Sequence, residues 1–214
     1  MPNLCFKDGE TVLFIGDSIT DCGRRAHAAP FGDGYVSLFI DLVAFKYPEH
    51  KIRFINKGLG GNTALDLHER WEDDVIRHKP DWVSIKIGIN DLHRWLRNGE
   101  KDFTPENFRK YYDSIISRTV KKLSARTVLI EPFYMSIEKG DQTFRGKVLE
   151  IIPEYINVTR EMGRKYKARI VHTHDVFQRQ LKYREADTFC AEPVHPNRTG
   201  HLLIAYELLR VLEK

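Results

Sequence analysis

The sequence predicts an α/β protein with a five-stranded parallel sheet between two layers of helices, folded as a single domain over residues 1–214. Three observations point there. Five short apolar, strand-like runs recur along the chain. Segments with helical period separate them. The connections are short, and alternating β and α elements joined that way imply a parallel sheet covered on both faces. With 214 residues, 42% hydrophobic and 30% charged, the chain has the size and balance of one domain with a real core.

The elements follow in order. Residues 11–15, Thr11-Val12-Leu13-Phe14-Ile15, read as a buried strand. Gly16 and Asp17 break it, and Ser18 stands where the chain turns toward a helix. Residues 35–47 carry apolar side chains at 35, 36, 38, 39, 42, 43 and 45, a helical spacing. Residues 51–56 form the second strand. In residues 64–78, Leu67, Trp71 and Val75 lie four apart on one helical face, and the charged run from Glu69 to Asp74 is its wet side. The third strand covers 81–87 and the fourth 127–131, with a long helix over 105–123 between them. A helix over 145–167 leads to the fifth strand at 169–172. A terminal helix over 197–213 turns Leu202, Ala205, Leu208 and Leu209 inward. The irregular stretches are 21–33, 132–144 and 185–195. Ligands of open α/β sheets bind outside the carboxyl ends of the strands, so these loops are the walls of a site.

The residues after each strand carry chemistry. The first strand runs into Gly16-Asp17-Ser18, the second into Asn56 to Thr63, and the third into Gly88-Ile89-Asn90-Asp91. A late loop carries Glu192-Pro193-Val194-His195-Pro196-Asn197. Ser18 is a candidate nucleophile, and a serine hydroxyl needs a base to remove its proton. His195 is the candidate base. A tetrahedral intermediate needs fixed donors for its oxyanion. The Ser18 N–H, the Gly61 N–H and the Asn90 amide can supply them. Asp17 and Asp91 stiffen their turns by accepting local N–H bonds. They also stand, with His93 and Trp95, as candidate substrate-binding residues. Aromatic planes suit sugar rings, which is why His93 and Trp95 are counted.

The four blocks resemble those of the SGNH hydrolases, the GDSL lipase/esterase family. Gly16-Asp17-Ser18-Ile19, Gly61, Gly88-Ile89-Asn90-Asp91 and His195-Pro196 match its blocks in order. The resemblance implies a three-layer flavodoxin-like fold without a metal. It implies Ser18 as nucleophile, Gly61 and Asn90 as oxyanion donors and His195 as base. Within the family, residues 16–24 and 79–85 look closest to the intracellular acetylxylan esterases. Asn56-Lys57-Gly58 and Arg70-Trp71-Glu72 are similar to them too.

One position departs from the family pattern. An aspartate is expected three residues before the histidine, and Glu192 stands there. The carboxylate survives, one methylene longer, and can still orient an imidazolium. Asp187 in the same loop is a second candidate acid. A backbone carbonyl is a third way to orient His195.

Other readings are weaker. After Gly58-Leu59-Gly60-Gly61, the third glycine of a dinucleotide fingerprint would fall at Thr63. His172-Thr173-His174-Asp175 places two histidines on one strand face, but no third ligand is evident, so neither metal nor cofactor is expected. The alternative is a helix cap by Thr173 or Asp175. The net charge of +4 is mild and the basic residues are scattered, so no nucleic-acid partner is expected. No apolar run approaches a membrane span, and the N-terminus lacks a signal-peptide layout. Cys5, Cys22 and Cys190 argue against a disulfide framework and for a reducing, cytoplasmic setting. The resemblance implies a homo-oligomer, with no interface legible in the residues.

The expected function is hydrolysis of short acyl esters, acetyl above all, on xylose-type oligosaccharides. A thioesterase, lysophospholipase or aryl esterase could use the same machinery. The reading from another class is a non-catalytic carbohydrate-binding relative whose triad has decayed at Glu192.

Overall fold

The computed structural model describes residues 3–213. Its strands are β1 (Thr11–Gly16), β2 (Arg53–Asn56), β3 (Trp82–Lys86), β4 (Arg126–Ile130) and β5 (Arg169–Val171). They pair in parallel in the order β2-β1-β3-β4-β5. That is the flavodoxin-like winding, whose order reverses beside β1. The helices are α1 (Ser18–Asp21), α2 (Tyr35–Lys46), α3 (Ala64–Asp74), α4 (Ile89–Asn98), α5 (Pro105–Leu123), α6 (Phe144–Tyr166), α7 (Thr173–Gln180) and α8 (Arg198–Leu212). α2 packs with α8, and α3, α5 and α6 pack in series, so the sheet lies between two helical layers.

β1 is buried from Val12 onward because both faces of the sheet are covered. Successive side chains of a strand point to opposite faces. Phe14 takes one side and meets Tyr35 and Phe39 edge-on, with centroids 6.2 and 5.7 Å apart. Trp71 is fully buried, and its Nε1 donates to Thr119 Oγ1 at 3.1 Å, tying α3 to α5. α3 starts in a capping box between Thr63 and Asp66, and α5 starts at a Thr104 cap followed by Pro105.

The structure departs from expectation in four places. The helix expected over 64–78 stops at Asp74, and Ile76–His78 is a tighter 3-10 turn. α4 and α7 are helices in stretches to which the sequence assigned no element, apart from the helix cap weighed at Thr173 or Asp175. Leu202 is 47% exposed rather than inward. The packed stripe of α8 includes His201, Ile204, Ala205 and Leu208. His201 Nδ1 accepts the Tyr35 N–H at 3.1 Å, which fixes the helix rotation and leaves its neighbour Leu202 outside. The fifth strand ends at Val171, so His172 and His174 do not share a strand face; His172 caps α7.

Gly16 is where β1 and β3 come closest below the site. A Cβ there would lie 2.2 Å from the Lys86 carbonyl oxygen and 2.6 Å from Thr20 Oγ1. Gly16→Ala is therefore expected to destabilise the fold by about 1–3 kcal/mol through overpacking. Denaturant unfolding measures this, and a wild-type midpoint would refute it.

Candidate active site

The end of β1 turns sharply at Asp17, and Ser18 opens the single turn α1. Asp17 is extended, with Oδ1 accepting the Ile19 N–H at 3.0 Å. Its other oxygen faces Lys86 Nζ at 3.5 Å. Both side chains are fully buried, and the ammonium lies 4.9 Å from the centre of the Phe133 ring. Burial pushes the Lys86 ammonium below its ordinary value, and Asp17 pulls it back up.

Ser18 Oγ lies 2.8 Å from His195 Nε2. His195 Nδ1 meets Glu192 Oε1 in a short hydrogen bond. The same carboxylate accepts the backbone N–H groups of His195, at 2.8 Å, and Val194, at 3.0 Å. An ionised carboxylate can only accept, so the imidazole proton sits on Nδ1. The Nε2 lone pair then faces Ser18, whose hydroxyl donates to it. Partial burial pushes the Glu192 carboxyl up, but the two backbone N–H groups and the imidazole outweigh it and hold it below its ordinary value. Asp187 does not reach His195; its carbonyl accepts from Asn197 instead. Of the three groups weighed as partners of His195, Glu192 is the one hydrogen-bonded to its Nδ1.

The loop after β2 approaches Ser18 at Gly60, where a Cβ would lie 3.9 Å from the Ser18 Cβ, and Gly61 follows it. Gly61 has φ +80°, and a Cβ there would meet no atom within 4 Å. Its backbone conformation, rather than crowding, is what favours glycine. Among the described residues, neither the Ser18 N–H nor the Gly61 N–H has an intramolecular acceptor. Asn90, in the first turn of α4, donates from Nδ2 to the Asn62 carbonyl at 2.9 Å. Its second amide N–H remains for a ligand.

Sequence reasoning gave Asn56 no role in the site, yet its amide is saturated there. Nδ2 donates to Thr20 O and Phe31 O, both at 2.7 Å, and Oδ1 accepts the Gly58 N–H at 2.8 Å. It joins the Gly61 loop to the nucleophile turn. The available signal was its position as the last residue of a strand.

Asp17 and Asp91 are buried and neither lines the cavity at Ser18; Asp17 stiffens its own turn through the Ile19 N–H, whereas Asp91 reaches a distant segment. Asp91 accepts the Ala64 N–H, at 3.0 and 3.2 Å, at the start of α3. Burial raises its carboxyl to about 7. His93 packs against Tyr134 and Phe144, and burial lowers it to about 4. Its Nε2 is buried and unpartnered, so it forms the wall behind the site rather than the surface of it. Trp95 packs on the core and does not line the cavity at Ser18.

That cavity, about 370 Å3, is lined by Ser18, Cys22, Asp33, His195, Arg198 and His201 among others. Of the three loops expected as walls, 21–33 supplies Cys22 and Asp33, 185–195 supplies His195, and 132–144 supplies none; the rest comes from α1 and from the start of α8. Burial pushes the Cys22 thiol up to about 12, so it stays protonated beside the serine. Farther off, Glu131, His172 and Asp175 bring ligand atoms within 4.8 Å of one another. Arg160 donates to both Glu131, at 2.7 Å, and Asp175, at 2.6 Å, so one guanidinium already bridges the two carboxylates. His174 faces elsewhere, accepting the Tyr134 N–H at 3.3 Å.

The GDSL-like Lipase/Acylhydrolase family matches residues 14–203. An acetylxylan esterase of Geobacillus stearothermophilus is 38% identical over 210 residues, covering 94% of this chain and 93% of that protein. A solved structure of an acetyl xylan esterase from that organism superposes with a TM-score of 0.87 at 34% identity, covering 98% of this chain and 97% of the other. LAE5, an alpha/beta hydrolase enzyme from the metagenome of Lake Arreo, Spain, superposes with a TM-score of 0.87 at 29% identity, covering 98% of each chain. Catalytic mutants of the Geobacillus enzyme replace a serine, an aspartate and a histidine three residues past the aspartate. The chain belongs to the GDSL-like lipase/acylhydrolase family. It is a carboxylic ester hydrolase, so the non-catalytic expectation is set aside; Glu192 stands against His195 rather than marking a lost triad.

Two predictions concern the groups beneath the site. Lys86→Met strands a buried Asp17 carboxylate and is expected to cost about 3–5 kcal/mol, with Asp17→Asn in the same chain restoring much of it. Denaturant unfolding of the single and double variants checks this. Asp91 binds protons more tightly folded than unfolded, so its contribution to stability declines as pH rises from about 4 to about 7. The melting temperature of Asp91→Asn should therefore gain on wild type between pH 5 and 8. An unchanged difference would refute the assignment.

Proposed function

We propose that this esterase removes acetyl groups from xylose-type oligosaccharides through an acyl-enzyme on Ser18. The hydrogen-bonded line from Ser18 through His195 to Glu192 carries the reading. Ser18 Oγ attacks the acetyl carbonyl carbon while its proton passes to His195 Nε2. Glu192 holds the imidazole in its tautomer and steadies the imidazolium. The oxyanion rests against the Ser18 N–H, the Gly61 N–H and the Asn90 amide. The intermediate collapses, the carbon–oxygen bond to the sugar breaks, and His195 gives the departing oxygen its proton. Water then attacks the acetyl-serine, losing a proton to His195. Acetate leaves and Ser18 Oγ recovers the proton.

The substrate class rests on two supports. The cavity wall is mixed: Asp33, Asn197 and Arg198 offer polar groups beside Ser18, and Ile19 and Pro196 offer apolar ones, which suits a sugar and a short acyl group. The Geobacillus relative is an acetylxylan esterase at 38% identity. Three free cysteines fit a reducing compartment such as the cytoplasm.

Acetate release from acetylated xylo-oligosaccharides, beside acetyl and octanoyl p-nitrophenyl esters, tests this. The sugar and the acetyl ester should react and the octanoyl ester should lag. Ser18→Ala should lower kcat by at least about 10⁴-fold, and Glu192→Ala by less, because orientation is the most replaceable role in a triad. Octanoyl preference would overturn the substrate reading, and turnover by Ser18→Ala the nucleophile.

A further inference from the structure

The proposed oxyanion donors sit on three separate segments, after β1, after β2 and in α4, and the separation of the first two must be held. One donor follows β1. Another lies in a loop with glycines at 58, 60 and 61, which has little stiffness of its own. Catalysis by fixed dipoles fails when such donors drift.

Besides Asn56, which ties Gly58 to Thr20, a second side chain spans both segments and reaches both ends of the glycine loop. Arg70, on α3, is 15% exposed. Its Nε donates to Asn62 Oδ1 at 2.7 Å, and its Nη1 to the Lys57 carbonyl at 3.0 Å. These two residues bracket the glycines. Its Nη2 donates to the Gly16 carbonyl at 3.3 Å, two residues before Ser18. Nη1 also meets Asp74 Oδ2 at 2.6 Å, which anchors the guanidinium to its own helix. Arg70 makes no hydrogen bond to Ser18, His195 or Glu192.

We propose that Arg70 is a positioning residue for the oxyanion hole: its planar fork sets the distance between the Ser18 N–H and the Gly61 N–H. The proposal rests on the reading of Ser18 as nucleophile. A lysine could hold one or two of these acceptors but has no rigid fork to hold them all. Asp74 keeps Lys57 Nζ, at 3.2 Å, as a second cation, so losing Arg70 does not strand a carboxylate. The interaction matters most when charge has developed on the carbonyl oxygen. Its loss therefore falls on kcat rather than KM.

The test compares wild type, Arg70→Lys, Arg70→Met and Ser18→Ala on an acetyl p-nitrophenyl ester, with melting temperatures and pH profiles. Arg70→Lys is expected to lose about 100-fold in kcat with KM within about twofold. The pH profile should keep its position, because His195 and Glu192 are untouched. Affinity for a small alkylboronic acid, which forms a tetrahedral adduct on serine, should fall with kcat. A kcat within about twofold of wild type, a loss confined to KM, or undiminished boronate affinity overturns the proposal. So does failure of both Arg70 variants to fold where wild type is stable, since Arg70 would then be structural. If Ser18→Ala still turns over, the nucleophile reading falls instead, whatever the Arg70 variants do.

Discussion

The buried contact between Asp17 and Lys86 is the constraint on which the site depends. A sheet of this winding brings the ends of β1 and β3 together, but packing alone does not fix the angle at which the chain leaves β1. Asp17 fixes it by spending one oxygen on the Ile19 N–H and offering the other to Lys86 at the end of β3. The turn of the nucleophile is thereby tied to the centre of the sheet. Two opposite charges without water are costly to assemble and more costly to separate, so the arrangement has one geometry rather than several. Ser18 inherits that definition. Gly16, with no room for a methyl group against the Lys86 carbonyl, allows the two strand ends to come close enough for the pair to form.

Much of this was legible in the sequence. The five strands were visible because each is a short apolar run bounded by turn residues. Ser18, Gly61 and Asn90 could be named as candidates because each follows a strand that could be placed, and His195 because it precedes the terminal helix. α4 was missed because Gly88-Ile89-Asn90-Asp91 read as a loop motif, although the same residues also open a helix. The cap weighed at Thr173 or Asp175 pointed to α7, which in fact opens at Thr173 behind His172, so only the capping residue was misplaced. Leu202 was misplaced because periodicity defines a stripe but not its rotation, and His201 sets the rotation through a distant backbone group. Asp17 and Asp91 could be named but not sorted between turn and substrate, since that depends on burial. Lys86 and Arg70 were not legible as site residues. Their partners lie 69 and 54 residues away in sequence.

Glu192 shows how a longer acid fits the same role. Its carboxylate must approach Nδ1 of His195 from three residues upstream. The extra methylene is absorbed because the carboxylate folds back over its own loop and accepts the N–H groups of Val194 and His195. Those bonds keep the side chain from reaching into solvent and keep its charge in place. The acid thus organises the backbone of the loop as well as the imidazole.

The acid and the base sit three residues apart, in a loop that follows all five strands and immediately precedes α8. Synthesis therefore delivers the sheet, the nucleophile and the oxyanion donors well before the residues that activate them. A nascent chain carries a serine whose hydroxyl has no proton acceptor. Under the proposed mechanism, hydrolytic competence waits until residues 192–195 and the α8 that follows them have been made and docked. The order of the genetic message then acts as a timer, withholding chemistry until the scaffold beneath it has been made.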